Sequence, residues 1–183
     1  MTFPRELSIR HEGNDMYLTS MPVPELTAIQ DLQTKFKHLS VSGDFNLSQK
    51  ISKPATQYKL YLSTKEIKDF EIRFSNNKGQ ILRVGYDIKK NRYFINRTLA
   101  GDTSFCKGFA GEHHVPRFSE TNGLDLTLII DESSIELFAD GGLSVMTEIF
   151  FPDPPLADIA LFSNSGVLFD KIEYTVLKRI WPK

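Results

Sequence analysis

The 183-residue sequence predicts an all-β fold, a two-sheet antiparallel β-sandwich with a short N-terminal linker segment. Three observations predict it. Apolar side chains recur at every second position almost throughout, turn-forming clusters separate these runs at hairpin distance, and a single segment has a helical rhythm. Ten or more short alternating strands need a second sheet to cover their apolar faces, so a sandwich comes first and a closed barrel second.

In order along the chain, residues 1–35 read as an interdomain linker with short strands and a short helix, and residues 36–183 as the sandwich. Within PVPELTAIQDLQTKF, Leu26, Ile29, Leu32 and Phe36 recur at three and four, the spacing of one helix face. YKLYLS then sets Tyr58, Leu60 and Leu62 on one side, DFEIRFS does so with Phe70, Ile72 and Phe74, and ILRVGYD with Leu82, Val84 and Tyr86. LDLTLIID follows with Leu124, Leu126, Leu128 and Ile130, and DKIEYTVLK closes with Ile172, Tyr174 and Val176. Between them stand the turn signals Asn76-Asn77-Lys78-Gly79, Lys89-Lys90-Asn91, Gly101-Asp102, Asn122-Gly123, Asp140-Gly141-Gly142 and Asn164-Ser165-Gly166.

Composition narrows the function classes. A formal net charge of −1 gives no long-range attraction to nucleic acid or an anionic membrane, and neither is expected as a partner. The densest basic stretch, Lys89, Lys90 and Arg92, reads as a solvated turn. Cys106 is the one cysteine, so no internal disulfide forms, and a buried small hydrophobe is its expected role. No run has the roughly 18 to 20 apolar residues of a membrane span, and MTFPRELSIR has no apolar signal-peptide core, which leaves the compartment open.

The sharpest question is posed by residues 129–152, IIDESSIELFADGGLSVMTEIFFP, where Asp131, Glu132, Glu136 and Asp140 cluster. Asp and Ser bond their own backbone in turns, which accounts for most of them without a substrate. On the strand, Ile135, Leu137 and Ala139 share one face and leave Glu136 and Phe138 on the other. A phenylalanine beside an acid is out of place on a sheet face that meets only water. Glu136 and Phe138, with Met146, Glu148 and Phe150 from the next strand, are therefore the expected domain-interface residues. A catalytic carboxylate pair ranks below this, because acid/base work needs a concave site and a positioned partner.

Other constellations are weaker. His113 and His114 are adjacent, so on a strand their rings would point to opposite sides and could not share a metal; loop positions are the plainer reading, and His11 and His38 stand alone. There is no G-x-S-x-G, G-x-G-x-x-G or P-loop, and no cofactor or metal is expected.

The stretch 129–152 resembles the signature of the C-terminal β-sandwich of glycoside hydrolase family 32, the invertases, levanases, inulinases and fructanases. The family's Asp-x-Ser-Ser-Val-Glu-x-Phe, Asn/Asp-x-Gly and Thr-x-x-Phe-Pro match at Asp131, Ser133, Ser134, Ile135, Glu136, Phe138, Asp140, Gly142, Thr147, Phe151 and Pro152. MTFPREL, with Pro4, Arg5, Glu6 and Leu7, is similar to the segment leaving the family's catalytic domain, and PVPEL to the start of its crossover. GYDIKKNRYFINRTLAG matches a further motif at Gly85, Tyr86, Asp87, Arg97, Thr98 and Gly101, and departs from it at Asn96, where the family usually has Asp. The resemblance runs to the terminal LKRIWPK.

The resemblance implies a concanavalin-like or jelly-roll sandwich in which Pro4, Arg5, Asp131, Ser134, Gly142 and Pro152 serve structure. It places the chemistry in an N-terminal β-propeller, with an aspartate nucleophile in Asn-Asp-Pro-Asn, a second aspartate in Arg-Asp-Pro and a glutamate in Glu-Cys, and none of these motifs occurs here. Retaining glycosidases need two carboxyl groups about 5 to 5.5 Å apart. No catalytic residue is therefore expected in this chain, whose implied partner is the propeller of a sucrose-, levan- or inulin-hydrolysing parent, exported to the extracellular or periplasmic space or retained in the cell. Two other uses stay open: a lectin-like domain binding fructan or sucrose through Tyr58, Tyr61, Tyr86, Tyr93, Phe94 or Trp181, and a homodimer contact.

Overall fold

The strand Asp158–Leu177 organises the molecule, because at twenty residues it is long enough to belong to two layers. The computed structural model describes residues 3–52 and 54–179. Among them the strands are β1 (Arg5–Glu12), β2 (Asp15–Pro22), β3 (Gln30–Asn46), β4 (Tyr58–Thr64), β5 (Phe70–Ser75), β6 (Ile81–Asp87), β7 (Arg92–Leu99), β8 (Glu112–Pro116), β9 (Leu124–Asp131), β10 (Ser134–Ala139), β11 (Ser144–Ile149) and β12 (Asp158–Leu177). The fold is nearly all β.

β1 and β2 pair only with each other, and the other ten strands form one antiparallel ladder, β11-β10-β9-β4-β12-β5-β6-β7-β8, with β3 paired to β12. The ladder doubles over at β12. Residues Lys171–Val176 pair with β4, Asp158–Phe162 pair with β5, and β3 follows β12 through both halves. One layer thus holds β4, β9, β10 and β11, and the other β5, β6, β7 and β8. The corner is a bulge between Ser163 and Val167, where Gly166 has φ +74°. The turn expected at Asn164-Ser165-Gly166 is this bulge, because the chain changes layer there without reversing.

The period-two reading of the sequence is met residue for residue. Leu60, Leu62, Leu126 and Leu128 enter the core from one layer, and Ile72, Leu82, Val84 and Ile95 from the other, all without measurable exposure. Tyr58 meets Phe74 across the gap at 6.4 Å between ring centroids. Each such side chain contributes about 1.5 to 3 kcal/mol of burial. At the far side the layers are tied by side chains: Ser144 Oγ donates to the Pro116 carbonyl at 2.7 Å, and Arg97 meets Glu148 at 3.0 Å. β8 and β11 share no ladder among the described residues, so the sheet stops short of the barrel alternative.

Four sequence expectations shift. Of the segment read as helical, only Pro24–Ile29 is helical, as a 3-10 turn, because from Gln30 onward the backbone finds β12 and pairs with it, starting at Leu177. Leu32 is left 52% exposed. The expected linker boundary after residue 35 consequently falls inside β3. Cys106 is exposed in the loop between β7 and β8, and His113 and His114 lie on β8, where the first turns to Glu148 and the second to the opposite outer surface.

Candidate functional site

The acidic cluster resolves into separate architectural contacts. Asp131 accepts hydrogen bonds from Gln57 Nε2 at 2.8 Å and from the Glu132 amide, and Glu132 pairs with Arg179. The cavity that Asp131 and Glu132 border holds about 10 Å³, room for about one water. Glu136, 2% exposed, accepts from the Phe3 amide at 2.7 Å and from Arg5 Nη2 at 2.5 Å. Asp140, 3% exposed, lies 3.0 Å from Arg117 Nε and accepts from the Tyr93 hydroxyl at 2.7 Å. Burial raises the Asp140 carboxyl above the usual range against the pull of Tyr93 and Arg117. Burial and the negative charge of Asp140 raise the Tyr93 phenol, which keeps its proton and donates.

Phe138 does need a cover, and this chain supplies it. Phe138, Ile129 and Leu177 form a second apolar cluster on the outside of the layer, closed by Phe3, Met21, Leu26, Ile29 and Val145. Residues expected to be linker thus lie on the sheet face read as a docking surface. Arg5 completes the cover: its guanidinium lies 5.0 Å above the Phe138 ring and also donates to Thr147 Oγ1 at 2.7 Å.

The expected interface residues from β11, and Phe150 just after it, point elsewhere. Glu136 is opposite Thr147 and Phe138 opposite Val145, so the odd-numbered side chains of β11 share their outer face. Met146 and Phe150 are buried in the main core. Glu148 sits at the seam between the layers, 3.0 Å from Arg97 and 2.6 Å from His113 Nδ1. Asn96 donates to Glu112 at 2.8 Å, a bond that the carboxylate expected at this position could not make.

The outward apolar surface is on the β1–β2 hairpin. Its register sets Ile9 opposite Leu18, with Leu7 and Met16 on the same side, and these four are 60 to 71% exposed. The other side holds the hairpin to the sandwich: Arg10 donates to the Asp140 carbonyl at 3.0 Å, and the Tyr17 ring lies 5.1 Å from Phe118. The anchor is Gly142. Its carbonyl accepts from the Ser20 amide at 3.1 Å, and a Cβ on it would lie 2.4 Å from the Ser20 oxygen.

Comparison with known proteins fits this arrangement. The profile of the family described as Glycosyl hydrolases family 32 C terminal matches residues 25–178. The chain belongs to this family. Relatives of this family 32 C-terminal module include the Levanase of Bacillus sp. (strain L7), 27% identical over 187 residues that cover 99% of this chain and 20% of that protein. The Levanase of Bacillus subtilis (strain 168) is 26% identical over 185 residues, 98% of this chain and 27% of the relative. In structure, the exo-inulinase from Aspergillus awamori superposes with a TM-score of 0.83 at 25% identity, over 98% of this chain and 36% of that one. The family 32 module therefore spans about a fifth to a quarter of the two levanases.

Of the motif residues expected to be structural, Arg5 clamps Glu136, Gly142 receives the hairpin, Asp131 holds Gln57, and Ser134 pairs with Asp131 across the β9–β10 turn. Pro4 accepts from the Val23 amide at 3.1 Å, and Pro152 follows Phe151, whose carbonyl takes the Asp102 amide at 2.9 Å. Short strands are expected in residues 1–35 but not their pairing as a hairpin, although its signal is present: LSI and MYL alternate on either side of Gly13-Asn14. The aromatic residues considered for sugar stacking divide: Tyr58, Tyr86 and Tyr93 are core, Phe94 is half-buried, Tyr61 lies beneath Lys171, and Trp181 falls outside the described residues.

Proposed function

We propose that this chain is the non-catalytic C-terminal sandwich of a family 32 enzyme that hydrolyses β-D-fructofuranosides of the levan, inulin or sucrose type, and that it seats the catalytic β-propeller on the hairpin. The observation that carries the docking is the exposed alternation of Leu7, Ile9, Leu18 and Met16 on a hairpin whose other side is fixed to the sandwich. Four outward apolar side chains on one ribbon need a partner. Interfaces between domains of one chain bury about 600 to 1,500 Å², a size for which such a ribbon is a fitting centre. The names of the relatives, levanase and exo-inulinase, support the substrate class.

Two measurements test this reading. The purified 183-residue chain should release no fructose from sucrose, inulin or levan, and turnover that survives purification would end the non-catalytic assignment. Sedimentation should show a monomer over a wide concentration range. A mass that doubles with concentration, and reverts on Ile9→Ser with Leu18→Ser, would assign the hairpin face to a second copy of the chain.

A further inference from the structure

The outer face of the β5–β8 layer carries a cleft that the docking hairpin does not use. The hairpin lies against the outer side of the other layer, through Glu136 on β10 and Thr147 on β11, so the two surfaces face opposite ways. The cleft measures about 330 Å³, at the small end of the roughly 300 to 1,000 Å³ of ligand pockets. Its floor is a single cross-strand row. Phe162 pairs with Glu71, Glu71 with Gly85, Gly85 with Phe94 and Phe94 with His114, and partners directly opposite point to the same face.

The centre of that row is a glycine, and this shapes the cleft. A Cβ on Gly85 would lie 2.9 Å from Cε1 and Cζ of Phe94 and 2.2 Å from the Phe70 carbonyl oxygen. The missing side chain leaves room for the Phe94 ring, which is half-buried and borders the cleft. Beside it, Glu71 is 7% exposed and clamped by Arg73 Nε at 2.5 Å and by Arg83. Arg73 in turn lies 4.2 Å above the Phe162 ring. The guanidinium groups are thereby held in fixed orientation while the outer parts of Arg73 and Arg83 stay in contact with solvent, at 28% and 43% exposure.

Charge selects the ligand class. Three arginines, Arg73, Arg83 and Arg92, line the cleft against the four carboxylates of Asp69, Glu71, Asp87 and Glu112. Such a near balance gives no field for a phosphate, a sugar acid or a nucleic acid, all of which need an excess of cations. It gives instead fixed donors and acceptors around an aromatic face, which suits a ligand with many hydroxyl groups and one apolar ring face. We propose that this cleft is a binding site for a neutral saccharide, one ring resting on Phe94 and its hydroxyls shared between the guanidinium groups of Arg73 and Arg83 and the rim carboxylates. The site does not depend on the seating of the propeller, and each reading can fail without the other.

Titrating the isotope-labelled chain with nystose, maltotriose and, separately, inorganic phosphate tests the site by amide chemical shifts. Nystose should move the amides of Glu71, Gly85, Phe94 and His114. Phe94→Leu, which keeps bulk over Gly85 while removing the ring face, and Arg83→Gln should each weaken that binding about tenfold. Both variants should keep the parent chain's pattern of unperturbed amides away from the cleft, and Ile9→Ser should bind nystose as the parent does. Maltotriose matching nystose would widen the class to neutral oligosaccharides in general and keep the site. Absence of these shifts at tens of millimolar nystose, unaltered affinity in both cleft variants, or equal shifts from phosphate alone would each overturn the proposal.

Discussion

Arg5 reaches across 131 residues of sequence to hold Glu136, its Nη2 2.5 Å from Oε2, while the same guanidinium caps the ring of Phe138. The pair closes the outer face of the β10 layer beneath the N-terminal segment. Removing one partner strands the other: Arg5→Met leaves a carboxylate that is 2% exposed without its cation and should cost about 3 kcal/mol. Arg5→Met with Glu136→Leu should recover most of the loss, because the neutral pair keeps the cover over Phe138. Urea unfolding of the four proteins of this double-mutant cycle checks both values, and additive effects would show that the clamp is not a coupled unit.

Glu71 makes stability depend on acid. Burial alone would raise its carboxyl, but the hydrogen bonds and charges of Arg83 and Arg73 outweigh burial and hold it below the ordinary value of 4.5. A group whose folded value is depressed stabilises the fold above the unfolded value and loses that contribution as pH falls through the folded one. The chain should therefore unfold more readily below about pH 4.5, and Glu71→Gln should flatten this part of the profile while lowering stability at neutral pH. Thermal unfolding followed from pH 7 to pH 3 measures it. An unchanged slope in the variant would remove Glu71 from the account.

The hairpin face should act as a sticky surface when unpartnered. Ile9 and Leu18 are 71% and 65% exposed, so Ile9→Ser with Leu18→Ser should change the unfolding free energy by only about 0.5 kcal/mol. The same change should lower the binding of a hydrophobic dye and raise solubility. A loss of several kcal/mol would mean that these side chains are covered in solution.

Much of this was legible in the sequence, and the failures have identifiable causes. The inward sets Tyr58/Leu60/Leu62 and Leu124/Leu126/Leu128 stood out because polar residues alternate with them, and the same contrast marked Glu136 and Phe138 as facing away from the core. β11 offered no such contrast. Its apolar residues occupy both parities, so its orientation is set by the β10–β11 turn, in which Asp140, Gly141 and Gly142 all take positive φ. The rhythm of Leu26, Ile29, Leu32 and Phe36 was genuine for one 3-10 turn and was then overridden by pairing with β12, a partner more than a hundred residues away. The cleft was invisible because its floor is a cross-strand row, assembled from five strands that the sequence lists far apart.

Gly142 provides the most direct test of how the hairpin is held. Its φ of +83° already disfavours any side chain, and the added methyl of Gly142→Ala would meet Ser20 at 2.4 Å from the carbonyl oxygen and 2.9 Å from the nitrogen. These are backbone atoms, so the contact cannot be relieved by turning a side chain. The hairpin must lift, breaking the Ser20–Gly142 hydrogen bond and loosening the Arg10 contact to Asp140. Gly142→Ala should therefore cost about 2 to 4 kcal/mol, the sum of a left-handed conformation and a displaced contact. Hydrogen exchange localises the effect: amides of β1 and β2 should lose protection first, while those of β4 and β9 keep theirs. Equal loss in both sets would mean that the hairpin and the sandwich unfold as one unit.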